Sequence, residues 1–354
     1  MRRLSVAVIF GGVSSEYTVS LRSAVSILEN LDQERFEAVP VGITRDGRWF
    51  LYDGPYDLIL KDEWCTPEHT THAVIAPDRG LKSLVALDGS DMFIPLDVAF
   101  PAVHGQNCED GALQGLLRLS GIPFVGCDVT ASALCMDKEF THIVMENAGI
   151  KMAPYICLRR SQQHRMDTLR HRVRHELGYP VFVKPANSGS SVGGSQVRDG
   201  EGLEEALDMA FKEDDKVLIE ALIIGQEVEC AVFGNTDTVA PLVGEIAPPD
   251  GFYDFDAKYV NDTAGLYIPA RIPEQGMAKI KETALKIFEI AGCRGLSRVD
   301  FFYCPNGDVV FNEINTLPGF TSISMYPKLM VASGMAYGQL VTGLIDLALE
   351  PAHG

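Results

Sequence analysis

A tight chain reversal in the last quarter of the sequence constrains the fold more than any other segment. Arg298-Val-Asp300 is followed by Asn306-Gly307 and then by Asn312-Glu-Ile-Asn315. Asn-Gly between apolar runs predicts a two-residue β-hairpin turn, because both central positions of that turn need positive φ. Cross-strand partners then have numbers summing to 613, so Asp300 faces Glu313 and Arg298 faces Asn315. Side chains alternate along a strand, so these four share one face, and Val299, Phe301, Val310 and Ile314 share the other. Like charges placed opposite each other destabilise a sheet by about 0.2–1 kcal/mol. A cation between them removes that penalty, and an all-oxygen set of Asp300, Glu313 and Asn315 suits Mg²⁺ or Mn²⁺ better than zinc. The alternative is an exposed hairpin face with solvated carboxylates.

At 354 residues the chain exceeds one ordinary core and predicts two or three domains. The 30 basic against 48 acidic residues give a net charge of -18, which repels a nucleic-acid backbone. Nucleic acid is therefore not an expected partner. Eight scattered cysteines without a C-x-x-C pair suit a reducing cytoplasm. The apolar run Leu4 to Phe10 ends in Gly11-Gly12 and reads as a buried first strand, not a signal peptide. No stretch approaches the roughly 18 apolar residues of a membrane span, so no membrane partner is expected.

Along the first 128 residues strands and helices alternate, which predicts a parallel, doubly wound α/β sheet. Ligands in such sheets bind beyond the carboxyl ends of the strands, where the loops Gly11 to Glu16 and Val103 to Gly111 lie. A single helix is expected from Thr130 to Gly149. The domain reading is 1–128 for the N-terminal α/β domain, 129–220 for a central domain and 221–354 for a C-terminal domain. The last two are α+β and enclose the ligand.

Several residues carry chemistry. Asn187-Ser-Gly-Ser-Ser-Val-Gly-Gly-Ser195 directly follows Lys184-Pro185. Its amides and hydroxyls can wrap phosphate oxygens, although no G-K-[ST] ends it, and a plain surface loop is the competing reading. Lys138 and Lys184 are candidate phosphate partners. Glu220 and Glu227 bracket a turn, spaced for an adenine amino group and ribose hydroxyls. Glu16, at the end of the first strand, can meet an ammonium group. His104 opens another strand-end loop, where a structural role is the competing reading. His171 and His175 have zinc-like spacing but read as a solvated helix face. In Pro318-Gly-Phe-Thr-Ser-Ile-Ser324, the Gly319 amide can point at a developing oxyanion, with Arg298 on the adjacent strand.

Six ordered motifs, from Ile9-Phe-Gly-Gly-Val-Ser-Ser-Glu16 to Asn312-Glu-Ile-Asn-Thr-Leu-Pro-Gly319, make the chain resemble the ATP-grasp carboxylate-amine ligases, and within them the D-alanine:D-alanine ligase family. The resemblance implies ATP and two Mg²⁺ or Mn²⁺ ions between the central and C-terminal domains. Lys138, Lys184, Glu220, Glu227 and Asn312 would hold the nucleotide, with Ser191 in the loop over its phosphates. Asp300, Glu313 and Asn315 would hold the metals. Glu16 would bind the ammonium of the first D-alanine, supported by His104 and Ser190. Lys258 and Tyr259 would belong to a loop that shuts the cleft, Tyr259 linking to Glu16 and Ser190. Arg298, Gly319 and Ser324 would hold the second substrate and the oxyanion.

The implied reaction makes an acyl phosphate from one D-alanine, which the amine of the other attacks, for peptidoglycan precursors. A cytoplasmic homodimer is implied as well. Cys108 stands where the family usually has glycine, and Ile323 where it usually has histidine. Some motifs also resemble the vancomycin-resistance branch that joins D-alanine to D-serine. Met325, apolar and adaptable, suits the methyl group of D-alanine better. A nucleotide-binding regulator without turnover is the alternative from another class.

Overall fold

The computed structural model describes residues 2–162, 165–189, 192–247 and 265–351. Three sheets follow one another along the chain. The first has seven strands, in the order Phe93–Pro95, Ser83–Ala86, Thr70–Ile75, Trp49–Tyr52, Phe36–Ile43, Leu4–Gly11 and Val98–Pro101. Leu4–Gly11 pairs in parallel with both of its neighbours, and the fully buried Val6 to Phe10 make it the core strand. The helix Tyr17–Glu29 crosses back over it, burying Tyr17, Leu21, Ala24, Val25 and Leu28 at helical spacing.

The wholly parallel sheet expected from the sequence is corrected here: the strands over 49–95 are antiparallel. The physical reason is connection length. Only Thr44 to Arg48 join the second strand to the third, and a parallel crossover needs a dozen residues or more. The sheet is thus mixed, with its parallel part where strand ends and loops meet the cleft.

The single helix expected over 130–149 is two, Val129–Met136 and Lys138–Asn147. Asp137 breaks it with an extended backbone. Its carboxylate accepts from Phe140 N–H at 3.2 Å and pairs with the Lys216 ammonium. The break sets Lys138 at the first turn of the second helix, its N–H bonded to the Ala186 carbonyl. Ala131, Cys135 and Met145 from these helices pack into the core of the third sheet, and the second sheet's own core begins at Ile156.

The second sheet is antiparallel, in the order Ser195–Val197, Val181–Pro185, Lys216–Ala221 and Tyr155–Arg159. The third is antiparallel too, in the order Gly265–Tyr267, Val243–Ala247, Gln226–Gly234, Gly295–Tyr303 and Val309–Asn315. The helix Glu274–Ile290 packs on it through Ile280, Ala284, Ile287 and Phe288. The first and third sheets are joined by one apolar cluster in which Val8, Phe10 and Leu21 meet Tyr326, Leu329, Leu340 and Leu344.

The hairpin differs from expectation in a way that leaves its key pair intact. Gly307 N–H bonds to the Cys304 carbonyl, Cys304 N–H bonds to the Asp308 carbonyl, and Gly307 alone has positive φ (+82°). The loop is therefore three residues, Pro305 to Gly307, with glycine at the left-handed position. Next to it the register runs Tyr303↔Val309, one short of the expected sum. A bulge at Asn312 adds a residue back, so Asp300 faces Glu313 and Arg298 faces Asn315. Between loop and bulge the faces are exchanged. The cluster that holds Val299, Phe301 and Ile314 takes Val309 and Phe311, not Val310.

Candidate active site

The third sheet lays three carboxylates side by side. Glu229 pairs with Asp300 across one strand boundary, and Asp300 with Glu313 across the next, so all three project from one face. Two residues along, Arg298 projects from that face and binds Asp300 in a fork, Nε to Oδ1 at 2.8 Å and Nη2 to Oδ2 at 2.6 Å. Arg298 Nε also lies 3.1 Å from Glu229 Oε2. Asn315 Nδ2 donates to Asp300 Oδ2 at 3.1 Å.

One cleft opens over this row, lined by Glu16, His104, Glu109, Gly189, Glu229, Arg298, Glu313, Asn315, Gly319, Ser324 and Met325. Glu16 is buried at the N-terminus of Tyr17–Glu29. Glycines let other loops come close to it: a Cβ on Gly189 would stand 2.9 Å from Glu16 Oε2. His104 is buried, with Nδ1 3.0 Å from the Leu317 carbonyl and Nε2 3.2 Å from Ser23 Oγ. Burial lowers its pKa against the opposing pull of Glu16. A carbonyl only accepts, so Nδ1 carries the proton and Nε2 accepts from Ser23. Ser23 Oγ in turn accepts from Phe320 N–H at 3.2 Å. His104 thus ties the Val103–Gly111 loop to the Leu317–Phe320 segment. Glu109 also lines this cleft; burial first, and then Glu16, pushes its carboxyl well above the usual range.

Ser324 is the N-cap of the helix Met325–Ala332, and its Oγ sits 2.8 Å from Thr321 Oγ1. A Cβ on Gly319 would stand 2.9 Å from Ser324 Oγ, so the loop path here needs glycine. Met325 is buried against Gly244, where a Cβ would meet its sulfur at 2.6 Å.

A second cleft lies between the second and third sheets, lined by Lys138, His142, Lys184, Glu220, Glu227, Asn312 and Glu313 among others. Lys184 Nζ pairs with Glu220 Oε2 at 2.8 Å, and His142 Nε2 lies 3.1 Å from Glu220 Oε1. Burial alone would raise the Glu220 carboxyl; the Lys184 ammonium and the His142 contact outweigh it and hold it down at about 2. Lys138 Nζ donates to the Ser188 carbonyl at 2.6 Å and lies 3.7 Å from Glu313 Oε2, and burial lowers its pKa. Glu313 and Gly189 line both clefts.

The family model for the D-Ala–D-Ala ligase N-terminus matches residues 5–127, and that for its C-terminus matches residues 144–346. The chain belongs to the D-Ala–D-Ala ligase family. A D-alanine–D-alanine ligase of Caldicellulosiruptor bescii is 47% identical over 99% of this chain and 96% of its own length. D-alanine–D-alanine ligase A of Escherichia coli is 44% identical, over 99% and 97%. Among solved structures, the VanG D-Ala:D-Ser ligase from Enterococcus faecalis superposes with a TM-score of 0.89 at 40% identity, covering 98% of this chain and all of its own. The D-alanine–D-alanine ligase from Coxiella burnetii gives 0.85 at 35%, covering 98% and 96%.

Membership in the ligase family carries the use of ATP and a divalent metal. Among the described residues no three His, Cys, Asp or Glu side chains converge to hold an ion alone. Asp300 and Glu313 offer two opposed carboxylates with the Asn315 amide, a hard-oxygen set that leaves coordination positions for phosphate and water. That donor set fits a hard divalent ion carried by a nucleotide.

Of the residues named from the sequence, Glu16, His104, Arg298, Glu313, Asn315, Gly319, Ser324 and Met325 line one cleft and Lys138, Lys184, Glu220, Glu227, Asn312 and Glu313 the other, with Asp300 under the first. Ser190, Ser191, Lys258 and Tyr259 lie outside the described residues. His171 and His175 stack on an exposed helix face, their rings 4.2 Å apart. Glu109 and Glu229 in the first cleft and His142 in the second join the residues named from the sequence without a motif that marks them. Glu229 had a signal, since it stands two residues from Glu227 on one strand and so shares its face.

Proposed function

We propose that the protein joins two D-alanine molecules into D-alanyl-D-alanine with hydrolysis of ATP to ADP, supplying a peptidoglycan precursor. The observation that carries this reading is that the two clefts meet at Glu313, beside Asp300, Arg298 and Lys138. A phosphoryl group at that junction is within reach of both a nucleotide in one cleft and a carboxylate in the other. Bound ATP with its divalent ions supplies the phosphoryl group that makes the first D-alanine's carboxylate an electrophile. Two ions, Mg²⁺ or Mn²⁺, on Asp300, Glu313 and Asn315 complete this part of the reading.

The chain's own residues do the rest. Glu16 binds the ammonium of the first D-alanine. Lys138 and Lys184 bring positive charge to the phosphates, with Ser191 of the loop, while Glu220, Glu227 and Asn312 line the nucleoside part. Ser190 and Tyr259 assist Glu16, and Lys258 helps to close the cleft and keep water from the activated acyl group. The second D-alanine lies toward Ser324 and Met325, where the N-terminal end of Met325–Ala332 favours its carboxylate. Arg298 and the Gly319 amide stabilise the tetrahedral oxyanion, an effect typically worth about 2.7–4 kcal/mol per donor. The units 1–128, 129–220 and 221–354 divide this work between first-substrate binding, nucleotide binding and the metal face. Eight free cysteines support a cytoplasmic setting. The resemblance supports a homodimer, which sedimentation tests.

D-Serine as second substrate is the competing reading, favoured by the VanG structure at 40% identity. Buried Met325 favours D-alanine, although an apolar pocket rejects an added hydroxyl by only about 100-fold. Purified protein with ATP, Mg²⁺ and equal D-alanine, D-serine and D-lactate is expected to yield mainly D-alanyl-D-alanine. Preferential D-alanyl-D-serine overturns the acceptor assignment, and no ADP release overturns the reaction.

A further inference from the structure

We infer that Glu229 is a positioning residue that anchors Arg298 over the acceptor end of the cleft, an inference that rests on the ligase reading above. Glu229 is buried on the strand Gln226–Gly234, directly opposite Asp300, and lines the same cleft as Arg298. The guanidinium lies between the two carboxylates, with Nε 2.8 Å from Asp300 Oδ1 and 3.1 Å from Glu229 Oε2.

The order across the sheet decides what each carboxylate can do. Strands lie about 4.8 Å apart, so a cation between Asp300 and Glu313 is one strand further from Glu229. Both oxygens of Asp300 are engaged by Arg298, and Oδ2 also by Asn315. Asp300 and Glu313 would hold a divalent ion, whose positive charge would stand beside the guanidinium and draw on the Asp300 lone pairs that Arg298 and Asn315 engage. Glu229 then remains as the anion on the far side of Arg298 from the ion. Held there, the guanidinium stays in the cleft that Gly319 and Ser324 of the acceptor loop also line. Without Glu229, the guanidinium loses a buried carboxylate 3.1 Å from Nε.

The test compares wild type with Glu229→Gln in the full chain. Wild-type ADP release dependent on D-alanine establishes the ligase reading independently of the variant; its absence sinks that reading, not this one. The variant is expected to raise KM for the second D-alanine about 30-fold, the lower end of what removing one partner of a buried charge pair costs. KM for ATP, KM for the first D-alanine and the Mg²⁺ requirement should stay within about twofold. A readout independent of turnover is the Arg298 Nε–H resonance, assigned by its loss in Arg298→Lys. On addition of Mg²⁺ and ADP it should persist in wild type and exchange away in Glu229→Gln. Should Glu229→Gln not fold, Glu229→Asp, which keeps the charge on a shorter stem, should show the same KM split in smaller measure. Unchanged kinetics, an equal rise in every KM, a weakened Mg²⁺ dependence marking Glu229 as a metal ligand, or an Nε–H signal that behaves alike in both proteins overturns the inference.

Discussion

On the nucleotide side, Lys184 pairs with Glu220 at 2.8 Å, and His142 Nε2 lies 3.1 Å from the same carboxylate. On the acceptor side, Glu16, Glu109, Glu229 and Glu313 line a cleft together with Arg298, Asp300 lies beneath, and Lys138 stands 3.7 Å from Glu313. Burial first, and then the Glu16 charge, holds the Glu109 carboxyl well above the usual range. The nucleotide side sets Lys184 and His142 against Glu220, while the acceptor side gathers four glutamates around Arg298, an acidic lining suited to an ammonium group and metal ions.

The sharpest way to break this contrast is Glu313→Gln, at the residue both clefts share. ADP formation with D-alanine is expected to fall at least about 1000-fold, since the ion and the phosphoryl group lose their common anchor. Thermal unfolding should change little, because a like-charge pair is relieved at the same time. Wild-type turnover in that variant contradicts the contrast.

Glu220→Gln probes the paired side. It leaves the Lys184 ammonium buried without its anion and should weaken ATP binding about 10-fold while costing about 1–3 kcal/mol of stability. KM for D-alanine should hold. The sign of the pH effect follows from the depressed carboxyl. Its contribution is complete above the ordinary value of 4.5 and is lost as pH falls through about 2. Urea unfolding should therefore show wild type losing stability between these pH values more steeply than Glu220→Gln, and parallel curves refute the pairing.

The smallest effect is expected at the joint between the clefts and the first sheet. Ser23→Ala removes the hydroxyl shared by His104 and Phe320 N–H and should cost about 1–2 kcal/mol in chemical denaturation, with a modest rise in KM for D-alanine. A variant as stable as wild type shows that the Leu317–Phe320 segment is held by packing alone.

The chain reads unevenly at sequence level. Period and turn chemistry carry the first strand, its helix and the opposed Asp300 and Glu313, because these are local rules repeated over many residues. The hairpin is instructive: Asn-Gly predicts a two-residue turn, the loop is three residues, and the Asn312 bulge restores the expected pair. A bulge answers to tertiary demands, here the placing of Asn312 and Glu313 together at the cleft, and has no short-range signature. The helix break at Asp137 depends on Lys216, 79 residues away, and so could not be read locally. The antiparallel strands over 49–95 were hidden because short mixed segments resemble loops. Glu229 and His142 acquire meaning only when strands and helices bring Arg298 and Glu220 to them.

The central claim, that Asp300 and Glu313 face each other to hold a divalent ion where the two clefts meet, is tested most directly by a crystal of the protein with ADP and Mn²⁺. Anomalous scattering at the manganese edge should place an ion within about 2.0–2.3 Å of oxygens from both carboxylates. Manganese bound away from this pair, with nucleotide present, contradicts the account.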